Sequence, residues 1–261
     1  MTSETRLDQI DIWLAFTDEI KSAQLLDQYR TLLTDQELYQ ERRFHFSKDQ
    51  HRYLITRALV RTVLSKYVPV APKQWQFSSN AFGKPGIAND TARAQEISFN
   101  LSHTDCLIAL GITRHQSLGV DTEHLRARPA PIEAASHFLS MHEVCALRTR
   151  PAAMHHDLFF QYWTLKEAYI KARGMGLSIP LEQFSFHLQH EGQIAVSFDR
   201  VLNDCPSRWS FWQYRVSPDL LLSICVERAK DVPQHLNFKQ IIPLEGEQPF
   251  SCELLRKSIS V

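Results

Sequence analysis

Asp121 and Glu123 sit two apart in Leu118–Glu123, where Leu118 and Val120 alternate with Gly119, Asp121 and Glu123. Such alternation predicts a strand with both carboxylates on one face. A hard cation such as Mg²⁺ prefers oxygen ligands and typically takes one or two carboxylates together with substrate phosphates. Further on, Glu167 and Lys171 are four apart in a helix predicted over 157–173, so they share a face, and Lys166 lies beside them. Phe159, Trp163 and Ile170 form the apolar stripe that anchors this helix, and Gly174 and Gly176 close it. A third carboxylate near the strand pair, with lysines close by, makes a clamp for a metal-bound phosphate. The cation neutralises the phosphate, and the lysines stabilise charge that develops on transfer. Plain structural readings stand beside this one. An Asp-x-Glu is commonly a solvent-facing strand edge, and a surface Glu–Lys pair is worth about 0.3–0.5 kcal/mol.

Basic residues fit the same chemistry. Lys84 sits in the loop Phe82-Gly83-Lys84-Pro85-Gly86, where its ammonium can meet an anion. His103 ends a strand over 97–102, and its parity with Ile97, Phe99 and Leu101 equally suits a core histidine. Arg52, Arg57 and Arg61 recur along one predicted helix over 49–68, and some of them are simple surface charges. The charge is unevenly laid out: residues 1–41 are net −6, 42–93 net +8 and 94–261 net −2. The +8 segment is either an anion site or a solvated helix face.

The elements that must position these groups follow from patterning. Ile10–Phe16 alternates as a strand, and Thr34-Asp35-Gln36-Glu37 has the form of a capping box. Cys106–Thr113 is an antiparallel partner for 97–102. A second unit begins near Leu118, with a helix at about 131–138, another capped at Ser140-Met141-His142-Glu143, then 157–173. Strands follow near 183–188, 194–199, 209–216 and 220–227. The fold class is α+β: two pseudo-symmetric halves, each a small antiparallel sheet packed against a long helix. Residues 1–117 form the N-terminal half, 118–229 the C-terminal half, and 230–261 a tail with weak structural signals.

The 261 residues balance 29 basic against 29 acidic, and 44% are hydrophobic. That composition excludes disorder and a fibrous repeat. Zero net charge argues against a partner such as long nucleic acid, gripped through a global positive field. The five cysteines are odd in number and lack CxxC spacing, which suits a reducing cytosol rather than a disulfide framework or zinc site. The polar start and the short apolar runs predict no signal peptide and no membrane span, hence a soluble cytoplasmic protein.

Gly119-Val120-Asp121-Thr122-Glu123, Trp163-Thr164-Leu165-Lys166-Glu167-Ala168-Tyr169-Ile170-Lys171 and Gly174-Met175-Gly176-Leu177 together resemble the signature of the 4′-phosphopantetheinyl transferases. Phe82-Gly83-Lys84-Pro85, Phe99-Asn100-Leu101-Ser102-His103 and Phe138-Leu139-Ser140-Met141-His142-Glu143 extend the resemblance, as do Arg42-Arg43-Phe44 with Asp49, Arg52 and Arg61. The matches run in family order from about residue 37 to 185. The length resembles the longer, single-chain type with two similar halves, which implies a monomer.

The resemblance implies Mg-dependent transfer of the phosphopantetheine arm of coenzyme A to a serine of an acyl, peptidyl or polyketide carrier protein, releasing 3′,5′-ADP. Asp121, Glu123 and Glu167 would surround Mg²⁺ on the coenzyme A pyrophosphate, Glu123 directly or through water. Lys84, Ser102 and His103 would contact phosphates, with Arg52 at the 3′-phosphate or adenine end and Lys166 as a further phosphate contact. Lys171 would steady the pyrophosphate in the transition state. Glu167 or a metal-bound water would take the serine proton. Glu143 matches a family acidic position with a proposed catalytic role, and also fits a helix cap with Ser140. Glu37 and Gln40 stand where some family members carry lysines, which leaves open how the 3′-phosphate is held.

Two other classes stay open at this stage. A non-enzymatic coenzyme A or carrier-binding homologue would bind without turnover, although the intact Glu167 and Lys171 argue against a dead copy. A Mg-dependent nuclease also uses strand carboxylates and a lysine, but the acidic-x-Lys pattern on this strand is missing, the residue after Glu123 being His124. No nucleophilic side chain is needed for the transfer, and no Ser-His-Asp, Cys-His or Walker-type loop is evident.

Overall fold

The computed structural model describes residues 9–188, 192–228 and 234–258. Strand β1 (Gln9–Phe16) leads into helices α1 (Ala23–Leu32), α2 (Asp35–Arg43) and α3 (Ser47–Tyr67). A short hairpin, β2 (Phe77–Ser79) and β3 (Pro85–Ile87), and the one-turn α4 (Ala92–Gln95) precede β4 (Ile97–His103), β5 (Leu107–Arg114) and β6 (Leu118–His124). Helices α5 (Met141–Arg148) and α6 (Ala152–Arg173) follow. The strands β7 (Phe184–Leu188), β8 (Gln193–Phe198), β9 (Trp209–Ser217) and β10 (Leu220–Glu227) come next. Finally β11 (His235–Ile242), β12 (Gly246–Pro249) and β13 (Glu253–Ser258) complete the chain.

The architecture is α+β. One sheet has the order β12-β11-β1-β5-β4, and α3 covers it; the other runs β6-β10-β9-β13-β8-β7, and α6 covers it. Local chemistry explains the helix starts. Thr34 and Ser140 both accept from the N3 amide while Glu37 and Glu143 reach back to the cap amide. α6 ends at Gly174, whose φ of +67° is the left-handed cap that glycine supplies.

Two expectations are corrected. The segment 131–138 is a 3₁₀ turn over Ile132–His137 rather than an α-helix, broken by non-helical angles at Ala134. The tail is not structurally weak. β11 lies parallel beside β1, and β13 inserts between β9 and β8, parallel to β8. Both sheets are therefore mixed, not antiparallel throughout. Within 230–261, residues 230–233 and 259–261 lie outside the described residues. Most side chains of these tail strands stay half-exposed, so the apolar signal is weak: only Leu236 and Phe238 alternate on β11, and β13 shows no alternation.

Three apolar clusters organise the interior. One lies between α3 and its sheet, one around α6, and a third joins the two sheets through Ile12, Leu14, Leu118, Val120, Leu222 and Ile224. Gly119 fixes how β6 meets α6. A Cβ there would fall 1.9 Å from the Ala168 carbonyl oxygen and 2.4 Å from the Ala172 amide nitrogen. Only glycine allows this backbone approach. It brings Asp121 on β6 up to Lys171 on α6.

Candidate active site

β4, β6 and α6 converge on an open cavity of about 480 Å³, with Arg52 reaching in from α3. Its walls include Ser102, His103, Asp121, Glu123, Glu167 and Lys171. Lys171 Nζ donates to Asp121 Oδ1 at 2.7 Å and to Ser102 Oγ at 3.0 Å. Ser102 Oγ in turn donates to Asp121 Oδ1 at 3.0 Å and accepts the Thr122 amide at 3.2 Å. The other oxygen, Asp121 Oδ2, is buried without a hydrogen-bond partner among the described residues.

Glu123 points along the same face but is held differently. Its Oε1 accepts from Trp163 Nε1 at 3.1 Å and from Arg128 at 2.8 Å. Burial, then the nearby Asp121, pushes its carboxyl above the usual range. Among the described residues no hydrogen bond holds Glu167 ionised, and Lys171 is the favourable charge beside it. Burial and the negative charges of Asp121 and Glu123 outweigh that lysine and raise it to about 7. His103 is open at the end of β4. Desolvation by the surrounding walls, then the Arg52 guanidinium, lowers its pKa below the ordinary histidine value. It is not a core histidine: its side chain is exposed and lines the cavity. Arg52 is paired with Asp49 at 2.7 Å and Asp105 at 3.2 Å.

Three expected site residues lie elsewhere. Glu143 and Lys166 form a fully buried ion pair, 2.9 Å apart, in the core around α6. Glu143 also accepts the Ser140 and Phe186 amides, both at 2.8 Å. Lys166 Nζ donates to the Leu181 and Phe184 carbonyls at 2.8 and 2.7 Å and lies over the Phe184 ring. Every oxygen and proton of this pair is used, and neither residue lines the cavity; the helix-cap reading of Glu143 is the one its geometry bears. Lys84 is the third. The loop lines a neighbouring cavity through Gly83 and Pro85. The Lys84 side chain turns away and donates to the Leu118 and Ala172 carbonyls, both at 3.1 Å. There it ties the hairpin to β6 and to the last turn of α6, and burial lowers its pKa to about 8.

Comparison with known proteins fits this geometry. Residues 117–225 match the 4′-phosphopantetheinyl transferase superfamily, and residues 21–114 match a 4′-phosphopantetheinyl transferase N-terminal region. The 4′-phosphopantetheinyl transferase HetI of Nostoc is 34% identical over 171 residues, covering 66% of this chain and 71% of its own. This chain belongs to the 4′-phosphopantetheinyl transferase superfamily. The 4′-phosphopantetheinyl transferase Sfp of Bacillus subtilis is similar over a longer stretch, 28% identical across 225 residues, 86% of this chain and 95% of its own. A further 4′-phosphopantetheinyl transferase of Bacillus subtilis is 30% identical over 184 residues, 70% of this chain and 77% of its own.

For a transferase of this superfamily the donor set suits a hard cation. All three carboxylates supply oxygen, and Asp121 Oδ2 is buried with no hydrogen-bond partner among the described residues. Among the described residues no three acidic, histidine or cysteine side chains converge closely enough to close a metal site alone. An ion there needs phosphate oxygens or water to complete its shell, which is the habit of Mg²⁺. Two contributors were missed from sequence. Trp163 reads as an apolar anchor, yet its indole N–H serves Glu123. Arg128 lies in an irregular stretch after β6, where no periodicity signals its role.

Proposed function

We propose that this chain transfers the 4′-phosphopantetheine arm of coenzyme A to a serine of an acyl, peptidyl or polyketide carrier protein and releases 3′,5′-ADP. The observation that supports it best is the Ser102–Asp121–Lys171 cluster beside Glu167, in one cavity between the two sheets. In the transfer, the carrier serine Oγ bonds to the β-phosphorus, and the bond from that phosphorus to the bridging oxygen breaks. The electron pair leaves with 3′,5′-ADP.

This chain's residues supply position and charge. Glu167, or a water beside it, accepts the serine proton. Lys171, released from Asp121, meets the charge that builds on the bridging oxygen. Ser102 and His103 orient the pyrophosphate, and Arg52 faces the nucleotide side. Asp121, Glu167 and Glu123 would hold Mg²⁺, Glu123 directly through Oε2 or through water, since Trp163 and Arg128 occupy only its Oε1. Such an ion supplies Lewis-acid polarisation of the pyrophosphate. The halves 1–117 and 118–229 meet at this cavity, with the tail strands bracing both. No helix of the described residues is long and apolar enough to cross a membrane, and we take the enzyme as a cytoplasmic monomer.

Incubation with coenzyme A, Mg²⁺ and a panel of apo carriers tests the reading. The carrier should gain the phosphopantetheine mass, and omission of the divalent ion should abolish the gain. Coenzyme A binding with no mass gain on any carrier would point to a non-enzymatic homologue. Cleavage of nucleic acid without coenzyme A would point to a nuclease.

A further inference from the structure

Strand β4 ends one sheet and β6 ends the other. An end strand leaves alternate backbone amides without a ladder partner, and a buried amide left unmet is costly. Here side chains close the gap between the sheets. The Val120 amide donates to Asn100 Oδ1 at 2.8 Å, and the Thr122 amide donates to Ser102 Oγ at 3.2 Å. All four residues are buried. Gly111, paired with Asn100 across β4 and β5, gives β6 room to come this close. A Cβ there would fall 2.9 Å from both Leu118 Cδ2 and Val120 Cγ1.

Asp121 lies between the two held amides. Its carboxylate is steered twice: at Oδ1 by Lys171 and Ser102, and through the backbone by β4. Ser102 takes part in both. Asn100 acts at one remove. It borders the neighbouring cavity of about 480 Å³ rather than the one around Asp121. Removing its acceptor would strand the Val120 amide. β6 could satisfy that amide only by shifting, and the carboxylate one residue on would shift with it. A displacement of about 1 Å at a reacting group can cost about 100-fold in rate.

We propose that Asn100, in the first half of the chain, is a positioning residue for the metal-binding carboxylate of Asp121 in the second. The proposal rests on the function argued above. The site is thus set from both halves, and a substitution in one changes metal binding in the other.

The test compares Asn100→Ala and Asn100→Asp with the parent. Mn²⁺ binding is read by electron paramagnetic resonance with coenzyme A present and no carrier, and coenzyme A binding by calorimetry in EDTA. Asn100→Ala should weaken Mn²⁺ binding and lower kcat by about 10–100-fold each, the usual weight of a group that supports a metal ligand, while coenzyme A affinity in EDTA changes by less than about threefold. Asn100→Asp keeps an acceptor for the Val120 amide and should restore most of the Mn²⁺ affinity. Parental Mn²⁺ affinity in Asn100→Ala would overturn the assignment and leave Asn100 a merely structural residue. An equal loss of coenzyme A affinity in EDTA would also overturn it, since it marks a direct ligand contact. Should Asn100→Ala fail to fold, Asn100→Leu fills the same volume without an acceptor and is read the same way. Weakened Mn²⁺ binding in Asn100→Ala, in a protein that transfers phosphopantetheine to no carrier, would sink the transferase reading and leave the positioning role standing.

Discussion

Helix α6 presents two lysines to two carboxylates, with opposite outcomes. Lys166 and Glu143 are both 0% exposed at 2.9 Å, while Lys171 and Asp121 are 27% and 8% exposed at 2.7 Å. In the first pair every donor and acceptor is met by backbone. Burial still pushes Glu143 up and Lys166 down, toward their neutral forms. The second pair leaves Asp121 Oδ2 unmet and opens on a cavity. A satisfied buried pair holds a core together but has nothing left to offer a substrate. An incompletely satisfied pair at a cavity can exchange its partner for a ligand.

Substitutions can break this contrast. Asp121→Ala should reduce transfer by about three orders of magnitude or more, the scale of lost transition-state electrostatics. Its melting temperature should stay within a few degrees of the parent. Full Mg-dependent activity in that variant would end the metal assignment. Glu143→Ala should do the reverse, costing about 3–5 kcal/mol in denaturant unfolding because Lys166 is left buried and uncompensated. Glu143→Ala with Lys166→Met should recover much of that loss. A Glu143→Ala protein of parental stability but no activity would return Glu143 to the catalytic set. Lys171→Met should lower kcat by about two to three orders of magnitude with little change in stability. A rise in KM alone would show uniform binding instead.

The smallest effect on stability concerns Glu167. Glu167→Gln should lower transfer at saturating Mg²⁺ by about 10²–10⁴-fold, the scale of a lost general base. The native pKa is raised above the unfolded value near 4.3, so the native state keeps a proton that the unfolded chain has lost. The stability this proton contributes is full below about pH 4 and is lost as pH rises through about 7. Without a divalent ion, Glu167→Gln should therefore be more stable than the parent by about 1–2 kcal/mol above pH 7, and the gap should close in acid.

Much of the plan was legible in the residues. The strand bearing Asp121 and Glu123, the helix bearing Glu167 and Lys171, and the caps at Thr34 and Ser140 all follow from periodicity and local hydrogen bonding. These signals lie within a few residues of one another, so sequence contains them whole. The tail strands were not legible, because β13 depends on β8 and β9 rather than on its own pattern.

The sequence alone determined which residues share a face: Asp121 with Glu123, and Glu167 with Lys171. Only the tertiary structure decided which lysine reaches a cavity. Lys166, Lys171 and Lys84 all sit in matching motifs. A lysine's role, however, depends on the carbonyls and carboxylates that distant segments place around its Nζ. Leu181 and Phe184 claim Lys166, and Leu118 and Ala172 claim Lys84. Asp121, brought close by the bare backbone of Gly119, claims Lys171 and leaves it within reach of a substrate.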